Sequence, residues 1–195
     1  MMRAKEINEE VLYAEGTTVK VAKQAIRELK ERADSNRRKR IRLCAHPDID
    51  DKLHQMLIVH TKDTYVRPHK HLNKSESIHM IEGSLHLVIF DELGVITDAI
   101  PMGEYSSGRA FFHRMNEPLY HTLLISSDYV VFHETANGPF KSSENAFPPW
   151  APEDVDEVEF MAKLANAVEE FECGPNTPEA RDAHEGPTRE PGKIA

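Results

Sequence analysis

Arg67-Pro68-His69-Lys70-His71-Leu72-Asn73-Lys74-Ser75-Glu76-Ser77-Ile78-His79-Met80-Ile81-Glu82-Gly83 sets the frame for the whole chain. If residues 64–71 form a strand, side chains two apart share a face, so His69 and His71 point the same way. Asn73, Lys74 and Ser75 are turn-compatible, which lets the chain reverse before Glu76 opens a second strand. A carboxylate on the returning strand then faces the two imidazoles. Glu82-Gly83 ends that strand where the next turn needs a residue without a Cβ. Two imidazoles and a carboxylate converging on one side of a sheet suit a first-row transition metal. A bare His-x-His is weak by itself in a chain with 11 histidines. Glu76, Gly83 and the downstream His121 turn it into a ligand-set expectation.

The spacing His69-x-His71-x4-Glu76-x6-Gly83 resembles the first motif of the cupins, with Asp63 where that motif opens on glycine. The second cupin motif would end on His121, but Asn116, Pro118 and Ile125 stand where proline, glycine and asparagine are usual. The stretches Arg42–His46, Asp51–Met56, Phe90–Gly94, Tyr120–Thr122, Phe132–Glu134, Gly138–Phe140 and Trp150–Pro152 look like those of WbuC-type cupin-fold metalloproteins. The likeness covers residues 36–152. It implies a mainly β fold, the cupin double-stranded β-helix (an antiparallel jelly-roll barrel) with flanking N- and C-terminal helices. It also implies a link to bacterial surface-polysaccharide synthesis.

At 195 residues the chain suits one domain with extensions. With 39% hydrophobic and 29% charged residues it reads as a globular protein. Its apolar runs fall far short of the ~20 residues that span a bilayer. No charged-then-apolar leader opens it, and Cys44 and Cys173 form no CxxC pair, so the expectation is a reduced, cytoplasmic protein without membrane partners. A net charge of −9 argues against nucleic acid as a partner, despite the short basic run Arg37–Arg40 and Arg42.

Residues 1–36 are read as an N-terminal extension, without pattern to residue 17. A helix capped by Thr17 or Thr18 follows, with Ala22, Ala25, Ile26, Leu29 and Ala33 on one stripe. Residues 37–152 form the barrel domain, with strands near 39–45, 53–61, 64–71, 76–82, 84–91, 94–101, 109–114, 119–126 and 129–135. Many short strands with almost no helix between them argue for an antiparallel sandwich or barrel. Leu85–Phe90 and Tyr129–Phe132 are apolar almost throughout, so both faces of those sheets are expected to be covered. Residues 153–174 read as an amphipathic helix, opened by Pro152, with Val158, Met161, Leu164, Ala165, Val168 and Phe171 on one stripe. It is expected to cover the barrel or a second subunit, as in a homodimer. Residues 175–195 read as a polar, disordered tail.

On these readings His69, His71, Glu76 and His121 hold one divalent transition metal: iron, zinc, manganese, nickel or cobalt. His121 joins the set if it faces inward; alternation then places Leu123 with it and Tyr120 on the opposite face. Arg67, Arg42 and Lys74 are candidate contacts for an anionic substrate. Trp150 either packs back over the barrel or stacks on a sugar ring. His86 and Tyr120 are weak candidates for proton transfer, and His46, His54, His86 and His113 for the cavity lining. His79 falls opposite Glu76, and only one of His133 and Glu134 can point inward. The leading expectation is a metalloenzyme, an isomerase, epimerase or dioxygenase acting on a sugar or sugar nucleotide. The alternatives are a non-catalytic metal-dependent binding or sensor module and a metal-free nucleotide-sugar isomerase.

Overall fold

The computed structural model describes residues 3–153 and 157–173. The strands in chain order are β1 (Ala4–Asn8), β2 (Val11–Ala14), β3 (Arg40–Cys44), β4 (Leu53–Thr61), β5 (Lys70–His71), β6 (Glu76–Glu82), β7 (Ser84–Phe90), β8 (Ile96–Gly103), β9 (Phe112–Met115), β10 (Tyr120–Ile125), β11 (Tyr129–Asn137) and β12 (Asn145–Ala146). The helices are α1 (Lys23–Ser35), between β2 and β3, and α2 (Glu157–Cys173) after β12.

One layer is a seven-stranded sheet in the order β1-β2-β3-β4-β11-β6-β9. It is antiparallel except for the β2–β3 pair. The other layer is β10-β7-β8, extended on the β10 side by the His69–His121 bridge towards β5 and β12. The two layers face each other across a core of Met56, Ile58, Ile78, Met80, Leu87, Leu123 and Phe132. Neighbours in the large sheet are far apart in sequence, as in β4 beside β11 and β11 beside β6. That crossing-over is the signature of a jelly roll, so the fold is mainly β, a double-stranded β-helix.

The apolar strands have a partner on each face. Leu29 and Ala33 of α1 lie on Ile41, Leu43, Val59 and Val131, on the outside of the large sheet. Leu164 and Val168 of α2 lie on Val88, Phe90, Ala99 and Tyr120, on the outside of the small one. In β3 the usual alternation is therefore inverted: Ile41 and Leu43 meet the helix, and Arg40 and Arg42 turn to the barrel mouth. Gly83, with φ of 84°, makes the β6–β7 turn, where a Cβ would sit 2.1 Å from the Tyr129 carbonyl oxygen. Asn73, with φ of 64°, makes the turn before Glu76, one of the few non-glycine types that enter this region readily.

Several sequence expectations need correction. Residues 1–17 hold a hairpin, β1–β2, which widens the large sheet; only Leu12 of it is buried, so alternation carried little signal. The helix starts at Lys23 with Ala22 at its N-cap, not at Thr17 or Thr18, and its cap makes no side-chain hydrogen bond. Residues 64–71 are not one strand: only Lys70 and His71 form β5, His69 joins His121 through an isolated bridge, and Pro68 offers no N–H to a ladder. His69 and His71 nonetheless remain neighbours on one side. Pro152 and Glu153 lie outside the helix, and Val158 is 79% exposed rather than part of the buried stripe. The expected helix stop at Gly174-Pro175 and the tail 175–195 lie outside the described residues.

Candidate metal centre

The irregular run before β5, together with β5 and β10, brings three imidazoles together at the barrel mouth, and β6 sets Glu76 against two of them. His69 and His121 are joined by two backbone hydrogen bonds, His69 N–H to His121 O at 3.1 Å and His121 N–H to His69 O at 2.9 Å. Nitrogens of His69, His71 and His121 all lie within 4.8 Å of one another. Glu76, at the start of β6, is 9% exposed; its carboxylate oxygens lie 3.0 Å from His121 Nε2 and 3.2 Å from His71 Nε2.

The other ring nitrogen of each histidine is tied back to the protein. Nδ1 of His69 donates to the Arg67 carbonyl at 2.8 Å and Nδ1 of His121 to the Leu119 carbonyl at 3.0 Å. Nδ1 of His71 donates to the Asn145 side-chain oxygen at 2.7 Å. A carbonyl only accepts, so these contacts put the proton on Nδ1 and leave Nε2 with a lone pair aimed at the centre. Such outer contacts are what fix a metal-binding imidazole. Lone pairs of His71 and His121 pointing at a buried carboxylate repel it unless a cation sits among them. The residues therefore fit a divalent metal, with protons as the only substitute.

The electrostatics agree. Burial, then the neighbouring His121 and His71, push His69 down to about 3, so it stays neutral, the form that ligates. For His71 burial works against protonation, but Glu76 outweighs it and the value is raised. Burial alone would raise Glu76; with protons in the metal's place, hydrogen bonds from His121 and His71 reverse that and hold it well below the usual carboxylate range.

This cluster opens on a cavity of about 690 Å³, within the range of small-molecule sites. Arg67, Arg42 and Lys74 line it, as do His46 and His54, whose rings stack 4.1 Å apart. Arg67 pairs with Glu153 at 3.0 Å and lies 4.8 Å over the Phe147 ring. Lys74 sits 4.8 Å over Phe140. Of His133 and Glu134, it is Glu134 that faces in, beside Glu76. Enclosure by protein, then the Glu76 charge, push Glu134 up to about 7. Sequence alternation narrowed that choice to two residues; nothing local selected between them. Asn145 and Phe147 carried no sequence signal at all, because only β12 folding back on β5 brings them to the histidines.

Three candidates lie away from the cavity. His86 is on the outer face of β7, with Nε2 3.0 Å from Glu172 of α2. Tyr120 is also outward-facing, between α2 and Trp150, with Lys70 Nζ 4.3 Å over its ring. Trp150 packs on Phe90 at 5.1 Å and donates to the Glu92 carbonyl at 3.2 Å, so it covers the sheet and does not line the cavity. His113 stays outside the lining, although burial lowers it and both Glu76 and His121 act on it. His79 lies on the outer face against Phe111 and Phe112.

A family model described as a domain of unknown function, DUF6016, matches residues 21–102, less than half of the chain. It contains His69, His71 and Glu76 and ends before His121. No curated protein matches the sequence. Among solved structures the chain is similar to protein SO0799 from Shewanella oneidensis, at 11% identity and a TM-score of 0.43, over 53% of this chain and 66% of that one. It is similar to an uncharacterised conserved protein with a double-stranded β-helix domain from Klebsiella pneumoniae, at 8% and 0.44, over 56% and 79%. It is also similar to a mutant of Bacillus subtilis oxalate decarboxylase, at 22% and 0.39, over 66% and 33%. The chain thus spans just under two thirds of the first of these and a third of the last. Likeness at this level transfers no activity. By its own strand order and barrel-mouth histidine cluster, the chain has the cupin double-stranded β-helix fold.

Proposed function

We propose that the chain is a metal-dependent enzyme acting on a small polar molecule, with one divalent transition metal held by His69, His71, His121 and Glu76. The observation that carries this is the convergence of three imidazoles whose outer nitrogens are each tied down, around a carboxylate buried with them. A bound metal would act as a Lewis acid on a carbonyl or hydroxyl oxygen of the substrate. The chain's own residues supply the rest. Glu134 has a value near neutrality and is placed beside the ligand set, so it holds or takes a substrate proton. Arg67 on one wall and Lys74 at the rim hold negative groups of the substrate. The likeness of residues 36–152 to WbuC-type proteins supports a sugar or sugar nucleotide of surface-polysaccharide synthesis as substrate, handled in the cytoplasm.

The test is proton exchange. Protein carrying its metal is incubated in D₂O with a panel of phosphorylated and nucleotide-linked sugars, and carbon-bound hydrogens are followed by NMR. Deuterium entering one substrate, and lost in Glu134→Gln at unchanged metal content, is the expected result. Full metal occupancy with no exchange and no product from any sugar would reject the enzyme reading in favour of a binding or sensor module.

A further inference from the structure

The cavity extends well beyond the metal cluster, along the inward faces of β3 and β4 and under the β1–β2 hairpin. In register, Glu76 lies opposite Ala136, and Ala136 opposite His54. Four residues back along β11, Phe132 lies opposite Ile58, and Ile58 opposite Arg42. Four residues of strand span roughly 13 Å and three strand spacings roughly 14 Å, so the two backbone positions lie on the order of 19 Å apart, a gap that the long side chains reaching in from both ends shorten.

Three of the cations that line the cavity are engaged in ion pairs. Arg40 Nε binds Glu10 at 2.8 Å, and Arg38 lies 3.6 Å from the same carboxylate. Arg67 is paired with Glu153. Arg42 has no ion pair and no side-chain hydrogen bond among the described residues, yet it lines the cavity. Its charge reaches Glu134 on the metal side and Tyr13, His46 and His60 around it. Arg42 is exposed at the cavity edge, and a guanidinium there with no ion pair is free to take an anion in bidentate fashion. His46, stacked on His54 and set edge-on to Tyr13 at 5.4 Å, walls that end.

We propose that the site is two-ended: oxygens of the ligand go to the metal, and a carboxylate or phosphate at its far end goes to Arg42. This rests on the metal-site reading and narrows it, from small polar molecules to elongated anions of about six carbons, with a coordinating head and a charged tail.

Four probes separate the ends. Gluconate offers a coordinating head and a neutral tail, glucarate adds a carboxylate tail, 6-phosphogluconate adds a phosphate tail, and inorganic phosphate is a tail alone. Binding is measured by calorimetry on the full chain carrying its metal, and on Arg42→Met and Arg42→Lys. The expected result is that glucarate or 6-phosphogluconate binds about tenfold tighter than gluconate, whichever is tighter naming the tail group. Arg42→Met removes that preference at unchanged metal content, and Arg42→Lys keeps part of it. Equal affinity for gluconate and both charged probes, a preference that survives Arg42→Met, or no binding of any probe would overturn the inference. If the protein holds no metal, gluconate does not bind while inorganic phosphate still titrates in an Arg42-dependent way. That pattern marks failure of the metal reading rather than of the anion end.

Discussion

Asn145 Oδ1 accepts a hydrogen bond from His71 Nδ1 at 2.7 Å, across 74 residues of sequence. The contact fixes which nitrogen of His71 faces the cluster, and it exists because β12 pairs with β5 through Asn145 and His71. Removing such an outer partner from a metal-binding histidine typically costs 10–100-fold in affinity. Asn145→Ala is therefore expected to weaken metal binding by about that factor, measured by competition with a chromophoric chelator, with the folded state intact. An unchanged affinity would show that the Asn145 contact does not orient the ring.

Metal affinity should fall with acid. Glu76 raises His71 above its ordinary value of 6.5, so a proton holds the ligand position more tightly than in a free imidazole. Metal must displace that proton, and apparent affinity should drop about tenfold per pH unit once His71 is mainly protonated. The same chelator competition between pH 8 and pH 6 checks this. A flat profile would contradict it.

Glu134 gives a stability signature of opposite sign to a salt-bridged carboxylate. Its folded value is raised from 4.5 to about 7, so the folded state binds the extra proton between those values. The stability it contributes is full below pH 4.5, declines as pH rises through the interval, and is gone above 7. In chelator-treated protein, Glu134→Gln should raise the melting temperature at pH 8, by an equivalent of roughly 1–3 kcal/mol, and give little or nothing at pH 4.5. An equal shift at both pH values would mean that the carboxyl is not held protonated.

Gly83 combines φ of 84° with a neighbour that leaves no room: a Cβ would lie 2.1 Å from the Tyr129 carbonyl oxygen and 2.5 Å from Ser127 Oγ. Gly83→Ala should cost about 3 kcal/mol or more, read by urea denaturation. A loss under about 0.5 kcal/mol, the scale of an ordinary surface change, would show that the turn relaxes freely.

Much of the frame was legible because strands with one consistent face declare themselves. The ranges 53–61 and 76–82 coincide with β4 and β6, and Gly83 stands at the turn where a residue without Cβ was expected. What failed has physical causes. β1 is mostly exposed and β2 finds its parallel partner only across α1, so neither shows a periodic pattern. β7 is apolar on both faces because α2 covers one of them, so the parity of His86 could not be read. For Tyr120 the alternation already held the answer: a strand that turns His121 and Leu123 inward turns Tyr120 out. Asn145 opens the two-residue β12 and Trp150 follows in irregular chain, and neither segment is long enough for a period to say what a side chain meets.

Metal analysis of protein purified without added metal or affinity-tag histidines tests the central claim most directly, with the His121→Ala, Glu76→Ala double variant alongside. The account predicts close to one divalent transition metal per chain, lost in the double variant while the fold is retained. No metal in the wild-type chain, or the same content in both proteins, would contradict it.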